Sequence, residues 1–230
     1  MANREIGTVA VGAMCLGMLQ TNCFFVYKED GKNHKAGEDH GSEEDFTEVV
    51  VFDPADRGGL IYDELYKRGL KVAAIYLTHG HFDHFAGADE LRKRSGAKLY
   101  VSEKDEKLLS DTHVNLSVSF SGSGITVKAD GVVRDGEICE AAGMRFKMIE
   151  TPGHTVGSCC YYFEEDGILI SGDTLFEESV GRTDFPGGSA SNLYRSCHEK
   201  LFVLPDDTLV YSGHGGETTI GHEKMHNMYL

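Results

Sequence analysis

The chain has 230 residues, a formal net charge of −15, 40% hydrophobic residues and 28 glycines. That balance excludes a disordered chain, and it excludes nucleic acid as the main partner, because phosphate binding needs a basic face. The length suits one large domain or two small ones. Six cysteines stand at 15, 23, 139, 159, 160 and 197, without a C-x-x-C pair. They read as free thiols, which sets the expectation of a reducing, cytoplasmic setting.

Residues 6–27 carry no charge and are about as long as a membrane span, but they hold Gln20, Thr21 and Asn22 and alternate as strands do. A hairpin turning near residues 17–21 is expected, with no signal peptide and no membrane partner. Residues 29–47 are polar and lack an apolar period, so they read as a hairpin insertion in which His34 and His40 are solvated. A strand over residues 48–52 ends at Asp53-Pro54, and residues 56–68 read as a helix stopped by Gly69. A strand over 71–77, a helix over 85–95 stopped by Gly96, and a short strand at 99–101 follow. Ser102 is expected to cap a helix reaching about Ser110, and the serine-rich residues 115–124 to form a surface loop. Short strands fill 125–151. Residues 161–163 and 168–170 flank an Asp166-Gly167 turn, a hairpin signal. Ser191 can cap a helix to Leu204. Residues 209–211 read as a final strand and 223–229 as a last helix. No linker divides the chain, so residues 1–230 are expected to form one domain.

The densest chemistry is Thr78-His79-Gly80-His81-Phe82-Asp83-His84, placed after an apolar strand. Three imidazoles and a carboxylate are donors that borderline divalent metals take; the bland alternative is a polar loop rich in histidine. Three further strands end in glycine-containing turns bearing such a donor: His154 after 144–150, Asp173 after 168–170 and His214 after 209–211. Each is weak evidence alone. Together they let seven donors converge, more than one tetrahedral site uses, and they suit two metals bridged by a carboxylate and sharing a hydroxide nucleophile. Zinc is the expected ion, with iron and manganese suiting the same donors.

The ordered set H-x-H-x-D-H, then His154, Asp173 and a late Gly-His, resembles the signature of the metallo-β-lactamase superfamily. The resemblance covers nearly the whole chain. It implies an α/β fold, a four-layer αβ/βα sandwich with the site along one edge of two packed sheets. It also implies that His79, His81 and His154 hold one metal, that Asp83, His84 and His214 hold the second, that Asp173 bridges, and that Asp83 orients the hydroxide and handles protons.

The stretches 172–176, 179–188 and 213–223 resemble short bacterial glyoxalase II-like hydrolases, which act on hydroxyacylglutathione-type thioesters. A small-molecule thioester is thus the expected partner of a monomer or small homo-oligomer. By the same resemblance Arg182 is a candidate clamp for a substrate carboxylate, the alternative being a salt bridge to Asp184 or Glu178. Phe185, with Phe176 and Pro186, is a candidate for an apolar wall or for the core. Two departures leave glutathione recognition open: 16 residues follow His214, without the helical domain of the long enzymes, and the family's tyrosine two residues after that histidine is Gly216.

Secreted β-lactamases fit less well, because they usually lack a bridging aspartate at the position of Asp173. Persulfide dioxygenases are a second resemblance, through Gly-Arg-Thr-Asp-Phe at 181–185; they hold one iron on residues matching His79, His154 and Asp173. A non-catalytic binding module is a third reading. Outside the seven donors, Cys159 and Cys160 read as core, as do Tyr161 and Tyr162, and His198 as a surface residue on a helix.

Overall fold

The computed structural model describes residues 9–29 and 46–230. Residues 30–45, which make up most of the expected insertion and include His34 and His40, lie outside the described residues, as do 1–8. No helix among the described residues is long and apolar enough to cross a membrane.

Two six-stranded sheets carry the structure. The first contains β1 (Val9–Leu16), β2 (Thr21–Lys28), β3 (Thr47–Phe52), β4 (Leu70–Tyr76), β5 (Lys98–Ser102) and β6 (Gly131–Val133), side by side in chain order. β1 to β3 are antiparallel, and β3 to β6 are parallel. The expected N-terminal hairpin is thus present. The second sheet contains β7 (Ile138–Ala141), β8 (Met144–Glu150), β9 (Cys159–Phe163), β10 (Ile168–Gly172), β13 (Leu209–Ser212) and β14 (Glu217–Thr219), in the order β14-β13-β10-β9-β8-β7. A two-stranded ribbon, β11 (Leu175–Phe176) and β12 (Ser179–Val180), stands apart.

Continuous apolar runs make the inner strands of this sandwich, because both faces of each are covered. In β3, Val49 and Val51 face one cluster, while Val50 and Phe52 face another between the sheets. In β9, Cys159, Tyr161 and Phe163 point between the sheets, and Cys160 and Tyr162 point outward. The interior between the sheets is aromatic: the Phe52 ring lies 5.1 Å from Tyr161, 5.7 Å from Phe146 and 6.0 Å from Phe163. Offset and edge contacts of this kind add to burial.

Helices cover the two outer faces. On the first sheet lie α1 (Gly58–Lys67), burying Ile61 and Leu65, and α3 (Ala88–Ser95), burying Leu91. They cross closely enough that a Cβ on Gly58 would sit 2.0 Å from the Gly87 carbonyl oxygen, which only glycine permits. On the second sheet lie α5 (Ala190–Arg195), continued by a π-type turn over Ser196–Leu201, and α6 (Ile220–His226). The four layers expected from the resemblance are therefore present.

Several boundaries differ from the sequence expectations. The helix expected over 85–95 is split into α2 (Phe82–Phe85) and α3, because the Gly87 amide bonds the Pro54 carbonyl instead of continuing a helix. Ser102 ends a strand rather than capping a helix; turns and a single 3₁₀ turn at Leu108–Ser110 follow, since Asp105 folds inward. Residues 115–124 are not a plain surface loop. Leu116 takes a left-handed conformation, and α4 (Ser117–Ser121) starts on the buried Asn115 side chain, which accepts from the Ser117 amide. Ser189, not Ser191, caps α5 by accepting from the Asn192 amide. β14 follows the strand expected to be last, and α6 begins at Ile220, capped by Thr219.

Candidate metal centre

The strand directions bring the donors together. β8 and β10 are each antiparallel to β9, and β10 is parallel to β13, so β8, β10 and β13 run the same way. Their C-terminal ends share one edge, where His154, Asp173 and His214 follow. β4 delivers residues 79–84 to the same place, fastened by the Cys159 amide bonding the Thr78 carbonyl at 2.9 Å.

All seven donors predicted from the sequence meet there. Three overlapping groups, His79/His81/His154, His79/His84/Asp173 and Asp83/His84/His214, each have one donor atom per residue within 4.8 Å of the others. Nδ1 of His81 is 2.9 Å from Nε2 of His154. Asp173 lies between the groups: Oδ1 is 3.4 Å from His84 Nε2, and Oδ2 is 3.5 Å from Nε2 of both His154 and His214. Asp83 Oδ2 is 3.5 Å from Nε2 of His84 and of His214. Nε2 of His79 and of His84, and Oδ1 of Asp173, are buried with no hydrogen-bond partner. Buried polar atoms ordinarily find one, so this donor set fits divalent cations.

The protonation pattern points the same way. Burial, then His84 and His154, hold His79 well below the usual histidine value. Burial and His154 bring His81 down to about 3. Both are neutral imidazoles, the form that ligates. Burial opposes charge on Asp83, yet His84 and a hydrogen bond from His214 outweigh it and bring its carboxyl to about 2. Asp173 is lowered in the same manner. Burial opposes charge on His84 too, but Asp83, Asp173 and Asp53 raise it well above the usual value. The carboxylates thus create a field that demands positive charge at this point.

The sequence reading missed the residues that aim the donors. Asp53, at the end of β3 with φ 50°, accepts from the Thr78 amide and hydroxyl at 2.8 and 2.7 Å. Its Oδ2 also takes the Nδ1 proton of His84 at 2.9 Å, which leaves His84 Nε2 facing the cluster. His154 Nδ1 donates to the Arg182 carbonyl at 2.7 Å. Asp105 accepts from the Gly80 and Gly157 amides and the Thr155 hydroxyl, tying the 79–84 loop to the 154–157 loop. The Thr21 hydroxyl holds Asp83 at 2.8 Å. The available signal was an aspartate at a strand end, Asp53-Pro54, which read only as a terminus.

Other candidates fall into place. The exposed Arg182 guanidinium makes two bonds to Asp184, at 2.9 and 2.7 Å, and lies 4.2 Å from the Phe185 ring centre. The salt bridge to Asp184 expected as the alternative is thus formed. Phe185 stands 5.9 Å from the His81 ring and 6.5 Å from His154. Glu178 pairs with His222. Cys159 and Cys160 are buried, and Tyr161 donates to the Leu77 carbonyl. His198 is half-buried, stacked at 4.1 Å on Tyr194, rather than a surface residue. A cleft of about 260 Å³ opens onto the donors.

A family model described as the metallo-beta-lactamase superfamily matches residues 44–214. A Bacillus subtilis protein named probable metallo-hydrolase YqgX is 36% identical over 219 residues, 94% of this chain and 95% of its own length. Hydroxyacylglutathione hydrolase GloC of Haemophilus influenzae is 31% identical over 189 residues, 81% of this chain and 89% of its own. Among solved structures, the BLEG-1 B3 metallo-beta-lactamase superposes with a TM-score of 0.86 at 35% identity, covering 96% of this chain and 99% of its own. TTHA1623 in a di-iron-bound form has a TM-score of 0.76 at 31% identity, with coverage of 95% and 100%. The chain belongs to the metallo-beta-lactamase superfamily.

Proposed function

We propose that the protein is a metal-dependent hydrolase that cleaves thioesters. The observation that carries the reading is the convergence of seven donors in overlapping groups, with Asp173 between them. The likeness to GloC supports the thioester. His79, His81 and His154 would hold one ion, Asp83, His84 and His214 a second, and Asp173 both. Zinc is the proposed metal, and iron is its rival, given the di-iron form of TTHA1623. Bound there, divalent ions supply a lowered pKa for water and polarise a carbonyl oxygen.

The protein's own share is orientation and proton handling. Asp53 and the Arg182 carbonyl fix the two imidazole tautomers that aim Nε2 inward. Thr21 steadies Asp83, which stays a carboxylate and so can accept a hydrogen bond from the attacking water and orient it. The departing thiolate is a good leaving group, which suits a cleft whose described lining holds no second acid of evident role.

Turnover of S-lactoylglutathione and other acyl thioesters by metal-loaded protein, and its loss on chelation, tests the reading. Asp83→Asn should lower kcat by about 10²- to 10⁴-fold. Failure on every thioester would sink the proposal. The BLEG-1 likeness favours a second reading, β-lactam hydrolysis, which a chromogenic cephalosporin assay checks. Oxygen uptake with glutathione persulfide would instead favour the dioxygenase reading, which the hydrolase-like Gly-His-Gly at 213–215 and Pro-Gly-Gly at 186–188 weigh against.

A further inference from the structure

The walls of the cleft speak to which thioesters fit. Phe185 borders His81 and His154, with Phe120 edge-on to it at 6.2 Å. Phe82 stacks on Phe120 at 6.4 Å. At the other end Phe176 lies 6.1 Å from the His214 ring. Leu19, Leu116 and Val180 complete the apolar lining. Phe120 is 39% exposed although it adjoins a site. With Phe82, Phe185 and Phe176 it forms a contiguous apolar lining beside the polar donors, the composition that ligand clefts use.

The charges match that picture. Among the described residues lining the cleft, Arg182 is the sole lysine or arginine. Its Nε and one terminal nitrogen are engaged by Asp184, and its face lies over Phe185. Glutathione brings two carboxylates and one ammonium group. Among the described residues lining the cleft, one guanidinium faces those carboxylates, and it is already paired with Asp184.

We propose that the physiological thioester carries an uncharged apolar acyl group, arylalkyl or alkyl, on a thiol without carboxylates. The inference rests on the thioesterase reading above. The reaction is plain hydrolysis: a water oxygen bonds to the acyl carbon and the C–S bond breaks. The sulfur leaves with the electron pair and is protonated to the thiol, and the acid leaves as a carboxylate with release of one proton. The acyl chain lies along Phe120 and Phe185, so its length and not its charge sets the rate.

The test compares three probes on metal-loaded full-length protein: phenylacetyl-N-acetylcysteamine, acetyl-N-acetylcysteamine and S-lactoylglutathione. The phenylacetyl thioester should exceed each of the others in kcat/KM by about tenfold or more. Phe120→Ala should shrink the phenylacetyl-to-acetyl ratio toward one, and Phe120→Leu, which keeps an apolar side chain, should give an intermediate ratio. Preference for S-lactoylglutathione, or a ratio unmoved in both variants while the proteins stay folded, would overturn the inference and leave the thioesterase reading standing. Turnover of none of the three would remove both.

Discussion

At the scale of single residues, the centre depends on side chains that never face the substrate. Asp53 fixes the tautomer of His84 and the position of Thr78 through three hydrogen bonds. Asp53→Ala should therefore lower metal affinity by about 10- to 100-fold, read as metal retained after dialysis against a weak chelator. The thiols give a second check. Cys15 is exposed and the other five cysteines are buried. Burial raises Cys160 to about 11, and raises Cys23, Cys159 and Cys197 as well. Since the thiolate is the reactive form, native protein should react promptly with one equivalent of a thiol reagent and with six after denaturation. Two or more fast thiols in the native state would contradict this arrangement.

At the scale of elements, the strands that end at the centre were legible before any fold was known. Apolar runs such as Val72–Leu77 and Ile168–Ile170 announce buried strands, and a glycine turn with a donor after each marks an edge. Less was legible where tertiary contacts decide. Asp53 precedes His79 by 26 positions, and its role exists only because parallel pairing sets Phe52 beside Tyr76, which brings the next residues of both strands together. The pattern of 115–124 looks polar because α4 is organised by one buried asparagine rather than an apolar face. Asp105 likewise turned an expected helix into a clamp between two donor loops. Burial raises the pKa of Asp105, and its three donors oppose that rise. Asp105→Asn puts an amide NH₂ where one of two backbone donors now bonds. It should cost about 2 kcal/mol of stability in denaturant titration, and it should loosen metal binding in step.

At the scale of the molecule, the net charge of −15 and the carboxylates at the centre make bound cations part of the stability of the fold. An ion held only by the folded state stabilises it by about 4 kcal/mol at a thousandfold excess over its Kd. For a chain of this length that is a Tm shift on the order of 10 °C. Chelation should lower Tm by about that amount in calorimetry, and restoring zinc should recover it. A Tm indifferent to chelation would mean that the donors do not hold an ion at neutral pH.

The donors are divided between the two sheets: His79, His81, Asp83 and His84 follow β4 in the first, and His154, Asp173 and His214 follow strands of the second. During synthesis the first four emerge well before the rest. An ion captured then is held by one loop and exchanges freely. His214 joins the other donors only where β13 lies alongside β10, so a second ion held by Asp83, His84 and His214 would need that pairing in place. If the donors hold ions as proposed, exchange should turn slow only once the two sheets have come together, and the rate at which a chelator strips a partly folded chain would report on that step.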